Sequence, residues 1–358
     1  MKLPCITMLA TLLLTGPAAA QLQIAPPATV PSAAPEKQKA KPPAPAKKKE
    51  AAPAPKPSPS PKPSPSPKPA ATVIPAPPTD NSNADLVFGA YQRGQYKTAF
   101  DLATARAQAG DPKAMTMLGE LYSNAMGIRR DYAKAAEWYK RAADAGDREA
   151  MFALAMLRIS GRGGSVDKSE AVKLMASAAK LGEPKAAYNL ALLYLDGQTL
   201  PQDVKRSAEL LRQAADAGLP EAQYALATFY KEGTGVPKDP ERAVRLLQAA
   251  SLADNVDAEV EYAIAMFNGT GTPKNQPAAV ALLRKASRQG SAIAQNRLAW
   301  VLINGVGVAT DKVEGFKWHL VAKTAGKGDP ELDKQLSDLP AEDRAKAEAA
   351  AKKWLGTK

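Results

Sequence analysis

A strict 36-residue period constrains the fold of this chain more than any other feature of its sequence. One turn position recurs every 36 residues without insertion or deletion, and it is glycine in all but one of its occurrences. Its members are Gly110, Gly146, Gly182, Gly218, Asp254, Gly290 and Gly326. Self-similarity at a period of roughly 20–50 residues is typical of repeat arrays. We therefore expect stacked copies of one unit rather than a single globular core.

Small residues keep the same register through the array. One alanine column is Ala114, Ala150, Ala186, Ala222, Ala258 and Ala294, and a second is Ala142, Ala178, Ala214, Ala250, Ala286 and Ala322. A third column of small residues is Gly119, Ala155, Ala191, Ala227, Ala263 and Ala299. Columns of this kind indicate places where two helices approach so closely that only a methyl group or a hydrogen fits.

Each unit divides into two predicted helices. The first places a large apolar residue at one buried position, at Leu118, Leu154, Leu190, Leu226, Tyr262 and Leu298. A loop with paired glycines follows in most units, and its recurrence indicates a turn with positive φ rather than a phosphate-binding loop. The second helix begins after an N-cap residue type, at Asp131, Asp167, Asp203, Asp239, Asn275 and Asp311. Its predicted core positions are Trp138, Leu174, Leu210, Leu246, Leu282 and Trp318.

Two of the second helices also carry the spacing of a capping box. Glu170 follows Asp167 by three residues, and Glu314 follows Asp311 by three residues. In a capping box the side chain of the third helical residue accepts from the backbone N–H of the N-cap residue. We therefore predict that both glutamates bind the N-cap amides.

The units resemble a known repeat. The segment PEAQYALATFYKEGTG at 220–235, followed by VPKDPERAVRLLQAA, is similar to the Sel-one-like repeat of the tetratricopeptide superfamily, and so is DYAKAAEWYKRAADAGDREA at 131–150. The resemblance covers residues 84 to about 325. It implies an all-α, right-handed α/α superhelical solenoid and a protein-interaction role, often as an envelope or periplasmic regulator or adaptor in bacteria. Some cysteine-rich members are β-lactamases, but this chain lacks their paired cysteines.

This resemblance and the period together define the predicted domains. A short opening pair and six full repeats span 84–325, and capping helices follow at 326–358. A terminal helix with one apolar and one polar face closes the open end of a solenoid.

The N-terminal segment predicts export. Lys2 precedes a short apolar run at 6–14, and small residues at 18–20 offer a cleavage site before Gln21. Residues 1–20 therefore read as a cleavable signal peptide, and the mature protein is expected to be periplasmic or secreted without a transmembrane segment. The alternative is an uncleaved membrane anchor. Cleavage would also remove Cys5, the only cysteine.

Residues 21–83 are predicted to form a disordered, proline-rich linker. Of the 31 prolines, 19 lie between Pro26 and Pro78, a composition that favours extended polyproline II structure. Residues 1–83 carry a net charge of +7, which leaves +5 of the total +12 for the remaining chain. So mild a charge gives little support to nucleic-acid binding. The linker lysines either contact an anionic envelope surface such as peptidoglycan, or only keep a solvated tether extended.

The sequence carries no recognisable catalytic motif. It has no G-x-S-x-G nucleophile element, and its lone histidine, His319, shares a packing column with Tyr139 and Leu211. The carboxylate pairs Glu259/Glu261 and Asp254/Asp257 read as solvated helix faces. We therefore predict a non-catalytic protein with neither cofactor nor metal. The alternatives are a hydrolase acting on a cell-wall or β-lactam substrate, and a structural protein tethered to peptidoglycan.

Variable positions on the first helices predict a partner-binding surface. In stacked helix pairs the first helices are expected to line the concave side. The alternative is that these residues only pack between successive repeats. The candidates for binding a protein partner are Phe152, Met156, Tyr188, Asn189, Leu192, Tyr224, Thr228, Glu261, Ile264, Asn296, Arg297 and Trp300.

Overall fold

The computed structural model describes residues 82–356. The predicted leader and nearly all of the predicted linker lie outside these residues. Within 82–356 the chain forms sixteen α-helices and no strand. They are α1 Ser82–Gln92, α2 Tyr96–Gln108, α3 Pro112–Asn124, α4 Tyr132–Asp144, α5 Arg148–Ser160, α6 Lys168–Lys180, α7 Pro184–Asp196, α8 Val204–Asp216, α9 Pro220–Glu232, α10 Pro240–Leu252, α11 Val256–Asn268, α12 Gln276–Arg288, α13 Ala292–Asn304, α14 Lys312–Thr324, α15 Pro330–Ser337 and α16 Ala341–Leu355.

The helices follow the period of the sequence. From α3 to α14 every helix has 13 residues, and the starts of alternate helices are 36 residues apart. Up to α14, each helix packs mainly against the helix before it and the helix after it in the chain. This nearest-neighbour arrangement defines a solenoid, and the predicted all-α fold is confirmed.

Backbone conformation explains the recurring turn glycine. All seven turn residues have positive φ, from Asp254 at 58° to Gly110 at 93°. No atom lies within 4 Å of the place that a Cβ would occupy at Gly110 or Gly290. The requirement at these turns is therefore conformational, and aspartate is one of the few other residues that tolerate it.

The glycine pairs of the loops serve two different purposes. The first member, such as Gly269, ends a first helix in the left-handed conformation. The second member, such as Gly271, has positive φ and also lies against the first residue of the preceding second helix, where a Cβ would collide with the carbonyl oxygen of Pro240. Gly163 stands in the same relation to Tyr132. Each such loop therefore fixes one repeat onto the previous one.

The six predicted N-caps are confirmed, but the two capping boxes are not. In each second helix the N-cap side chain accepts from a backbone N–H of the first turn, at 2.8–3.2 Å. Glu170 instead pairs with Arg158 at 2.6 Å, because the Asp167 N–H already donates to the Arg158 carbonyl at 3.0 Å. In the last repeat the Asp311 N–H likewise donates to a backbone carbonyl, so Glu314 is not its acceptor and forms an ion pair elsewhere.

The core of each repeat lies one residue beyond the predicted large column of the second helix. Leu210 and Trp318 are buried, but the other members of their column are only half-buried. The next column is buried throughout, at Tyr139, Met175, Leu211, Leu247, Leu283 and His319. A step of one residue turns a side chain by about 100°, toward the first helix. The packing role predicted for His319 is thus confirmed.

Small and large residues compensate across this core. A Cβ on Gly119 would lie 2.5 Å from the ring of Tyr139, the bulkiest member of the buried column. The other five repeats have alanine at the position of Gly119 and a smaller side chain opposite. The two alanine columns are at most 4 % exposed, as predicted.

The ends of the array differ from its repeats. The opening helix α1 begins at Ser82, two residues before the predicted boundary. At the other end α16 packs on α14, where Trp354 meets Trp318 edge to face at a ring distance of 5.0 Å. Leu332 and Leu339, which belong to this C-terminal segment, are both buried.

Candidate functional site

The first helices present one face on which most side chains are half-buried or exposed. Counted from the first residue of each helix, positions 2, 5, 6, 9, 12 and 13 fall within about 120° of one another at 100° per residue. We call these positions on α3, α5, α7, α9, α11 and α13 the first-helix face. The predicted binding residues occupy positions 5, 6 and 9.

The twelve predicted residues differ in how much surface they leave to a partner. Met156 is 38 % exposed, and ten of the others are half-buried. Leu192 is only 7 % exposed and belongs to the buried side of α7. Asn296 donates to the Lys327 carbonyl at 3.1 Å, so it also holds the C-terminal segment. Trp300 packs with part of its ring against the core.

Two tyrosines give this face its chemical character. Tyr188 and Tyr224 occupy position 5 of α7 and α9, and both rings pack partly against the core. Burial raises the pKa of the Tyr188 phenol, and the carboxylate of Glu221 raises it further. Burial likewise raises the pKa of Tyr224, followed by the carboxylates of Glu261 and Asp257. Each phenol therefore keeps its proton and lies in the field of carboxylates from the following repeat.

An ion pair crosses the same face. Lys231 Nζ on α9 lies 2.8 Å from Glu261 Oε2 on α11, and both side chains are partly exposed. Sequence reasoning found Glu261 but missed Lys231, Glu221 and Asp257. Glu221 and Asp257 occupy position 2, which carries a charged residue in five of the six first helices and looks like solvated surface in the sequence. Only the stacking of repeats brings position 2 close to position 5 of the preceding first helix.

Charge is divided between the two sets of helices. The six first helices carry a net charge of −2, of which α9 and α11 contribute −1 and −3. The six second helices carry +10. The array as a whole is therefore mildly basic, but its first helices include an acidic segment and its second helices form a basic surface.

One of the four carboxylates at the junction of the fourth and fifth repeats, Glu259, does not lie on a solvated helix face. Glu259 is 0 % exposed, and Lys285 Nζ lies 3.2 Å from its Oε2. The same ammonium lies 3.0 Å from Asp254 Oδ1. Burial raises the pKa of Glu259, and Lys285 partly offsets that effect. The prediction fails for Glu259 because position 4 faces the preceding second helix.

A cavity of about 490 Å³ opens at the same junction, between α10 and the loop after α11. Its lining includes Arg245, Gln248 and Tyr262. Tyr262 stands where the other repeats have a buried leucine, and it is half-exposed rather than buried as predicted. A phenol ring and hydroxyl do not fit the volume of leucine, so the side chain reaches the surface.

The lone histidine is a structural residue. His319 is 0 % exposed, and its Nε2 lies 2.8 Å from Asp333 Oδ1 on α15. Lys323 reaches the same oxygen at 2.8 Å and, ahead of His319, lowers the pKa of Asp333. The contact joins α14 to the C-terminal segment. Among residues 82–356 no three metal-ligating side chains form a cluster.

These features define an all-α helical-repeat scaffold with one chemically distinct face. The family model described as Sel1 repeat matches six consecutive units, at 112–147, 148–183, 184–219, 220–255, 256–291 and 292–327. The matches cover more than half of the chain, which therefore belongs to the Sel1 repeat family, within the tetratricopeptide-like superfamily. Arrays of this kind are typical protein–protein interaction scaffolds and are generally non-catalytic.

Two solved structures share the fold. A Sel1 repeat protein from Oxalobacter formigenes has 25 % identity and a TM-score of 0.58, over 67 % of this chain and 96 % of the other. A protective antigen of uropathogenic Escherichia coli strains, which displays an SLR fold, has 23 % identity and a TM-score of 0.51. That match covers 77 % of this chain and 68 % of the antigen. No curated protein matches the chain significantly.

No helix in the described part of the chain combines the length and the apolar character needed to cross a bilayer.

Proposed function

We propose that this protein is an exported, non-catalytic scaffold of the bacterial cell envelope, and that its first-helix face binds a segment of a partner protein. The observation that carries the proposal is the partly exposed aromatic surface of the first helices. It presents half-buried aromatic side chains, Tyr188, Tyr224 and Trp300, which are held by the core beneath them. Rigid aromatic residues of this kind supply much of the affinity of protein interfaces.

The second-helix side supports the choice of face. Its surface is rich in lysine and arginine, and its net charge of +10 is spread over all six helices. Lysine is depleted at the centres of protein interfaces, whereas tyrosine and tryptophan are enriched there. The half-buried tyrosines and tryptophan of the first helices and the many lysines of the second helices therefore favour the first-helix face as the interface.

Site-specific photo-crosslinking in living cells tests the face. A photoreactive amino acid replaces Tyr224 or Trp300 on the first helices, and Gln248 on α10 serves as the control. We expect both first-helix positions to form an adduct with the same protein, and the control position to form none. Adducts from position 248 alone would contradict the proposal.

Export is tested separately. The proposal requires a mature protein that begins at Gln21 and is found in the envelope or periplasmic fraction. N-terminal sequencing of that fraction checks this, and recovery of an intact Met1 would indicate a retained membrane anchor instead.

A further inference from the structure

Two arginines of the second helices converge on one buried phenol at the junction of the third and fourth repeats. Arg212 Nη2 on α8 donates to the Tyr230 hydroxyl at 3.3 Å, and Arg242 Nη1 on α10 lies 3.5 Å from the same oxygen. The Arg242 guanidinium also lies over the Tyr230 ring, 5.6 Å from its centroid. Tyr230 is buried, whereas both arginines are exposed. The phenol therefore holds two guanidinium groups close together at the surface.

The positive charge of the two arginines is not balanced. Because both groups contact one oxygen, their contacting nitrogen atoms are no more than about 7 Å apart, a distance at which like charges near a protein surface repel. Within residues 82–356, Asp239 is the only carboxylate in an ion pair with either arginine, through Arg242 Nε at 3.1 Å. Burial raises the pKa of the Tyr230 phenol, but the hydrogen bonds and charges of the two arginines outweigh burial and lower it.

The equivalent positions are neutralised in another repeat. Arg212 is the ninth residue of α8, and Arg242 is the third residue of α10. At the junction of the fifth and sixth repeats these positions hold Arg284 and Glu314, which form an ion pair at 3.3 Å. At none of the other junctions along α2 to α14 are both positions basic. The junction around Tyr230 thus has a second arginine where the later junction has the neutralising carboxylate.

Two guanidinium groups at this separation suit a phosphate group. A phosphate that accepts a charge-assisted hydrogen bond of about 2.8 Å from each group would bridge the gap between them. A phosphate monoester carries close to two negative charges at neutral pH and so balances two guanidiniums. The guanidinium is also less strongly hydrated than an ammonium group, which favours its use in phosphate recognition.

We infer that Arg212 and Arg242, positioned by Tyr230, form a binding site for a phosphate group on the second helices. A free phosphate and a phosphate monoester at a lipid surface both present this chemistry. The inference goes beyond the proposed function, because the site lies on the other set of helices and does not depend on what the first-helix face binds.

Calorimetric titration of the full-length protein with inorganic phosphate, at an ionic strength kept constant with sodium chloride, tests the site. We expect one saturable site per chain, and Arg212→Gln and Arg242→Gln should each weaken binding at least about fivefold. Arg284→Gln is the matched control, because it removes an arginine from the equivalent position where Glu314 already neutralises it. Its phosphate affinity should stay within about twofold of wild type.

The positioning role of Tyr230 has its own control. Tyr230→Phe keeps the ring and removes the oxygen that holds the guanidinium groups, so phosphate binding should weaken about threefold. Tyr194, the equivalent residue of α7, has an alanine in place of Arg212 across its junction, at position 176. Tyr194→Phe should therefore leave phosphate affinity unchanged.

Arg242→Glu separates loss of binding from loss of folding. The introduced carboxylate should pair with Arg212 as Glu314 pairs with Arg284. We expect its Tm in phosphate-free buffer to equal or exceed that of wild type, and the rise in Tm that phosphate gives the wild type to disappear. A persistent phosphate-induced rise in this variant would overturn the inference.

Co-sedimentation with vesicles distinguishes the two sources of phosphate. The vesicles are phosphatidylcholine alone or an equimolar mixture with phosphatidic acid. Pelleting with phosphatidic acid that falls in Arg212→Gln but not in Arg284→Gln would support the site and identify the lipid as the source. Saturable binding of inorganic phosphate without such pelleting would support it and identify a soluble phosphate. Absence of both, or equal losses in Arg212→Gln and Arg284→Gln, would overturn the inference.

Discussion

Replacement of Glu259 by glutamine should stabilise the protein at neutral pH. The buried carboxylate has Lys285 as its nearest cation, with a weaker contribution from Arg288, and neither of its oxygens accepts a hydrogen bond of satisfactory geometry. In neighbouring repeats the same position is glutamine, and its amide donates to a carbonyl of the preceding second helix. Gln223 reaches Ala215 at 3.3 Å, and Gln295 reaches Ser287 at 3.1 Å.

The magnitude follows from three contributions. The new amide bond to the Ser251 carbonyl, the equivalent acceptor at this junction, adds about 1 kcal/mol. Removal of the buried charge recovers a desolvation penalty of about 1–3 kcal/mol, and loss of the Lys285 ion pair offsets about 1 kcal/mol of the gain. We expect a net gain of about 1–3 kcal/mol, or a rise in Tm of about 2–6 °C at about 2 °C per kcal/mol for an array of this size.

The pH dependence gives this prediction its sign. Burial raises the folded-state pKa of Glu259 above its unfolded value. The stability contributed by this group is then fully present below the unfolded pKa and is lost as pH rises through the folded pKa. The advantage of Glu259→Gln over wild type should therefore be large at pH 7.5 and shrink by pH 4.

Urea unfolding followed by circular dichroism at the two pH values is the assay. Lys285→Met provides the control, because it removes the cation nearest to the carboxylate. It should destabilise the wild type more than it destabilises the Glu259→Gln variant. Destabilisation by Glu259→Gln at pH 7.5, or an advantage that does not change with pH, would refute the reasoning.

Three further predictions concern the packing and the face. Ala214, which is 0 % exposed, lies in an alanine column, and Ala214→Leu should cost about 1–3 kcal/mol by overpacking, measured by urea unfolding. Gly290→Ala should lower the free energy of unfolding by about 1–2 kcal/mol, because of the positive φ at this position alone. Gly271→Ala should lower it clearly more, because the added Cβ would also collide with the preceding repeat. Equal losses of stability in thermal melts would contradict this prediction. Asp239→Ala removes an N-cap and should lower stability by about 1 kcal/mol without changing the affinity for the partner measured by calorimetry. Trp300→Ala should weaken partner binding by about 2 kcal/mol and leave the circular dichroism spectrum unchanged.

The period by itself determined the architecture. Three local requirements recur in every repeat and are visible in the sequence. They are turn residues that need positive φ, side chains that cap helices, and columns that admit only alanine. The helix order, the six caps and the buried alanines could therefore be predicted without coordinates. The identity of the family follows from the same columns.

The tertiary structure alone decided which face each remaining residue occupies. A helical position can be assigned to a side of its helix, but its neighbours come from the next repeat, 30 or more residues away. Glu259 and Glu261 are two residues apart, yet Glu259 is buried beside Lys285 of α12 and Glu261 pairs with Lys231 of α9. Stacking also brings the carboxylates of Glu261 and Asp257 close enough to Tyr224 to add to the effect of burial in raising its pKa. Such contacts depend on the distance between repeats, which no residue within a single repeat specifies.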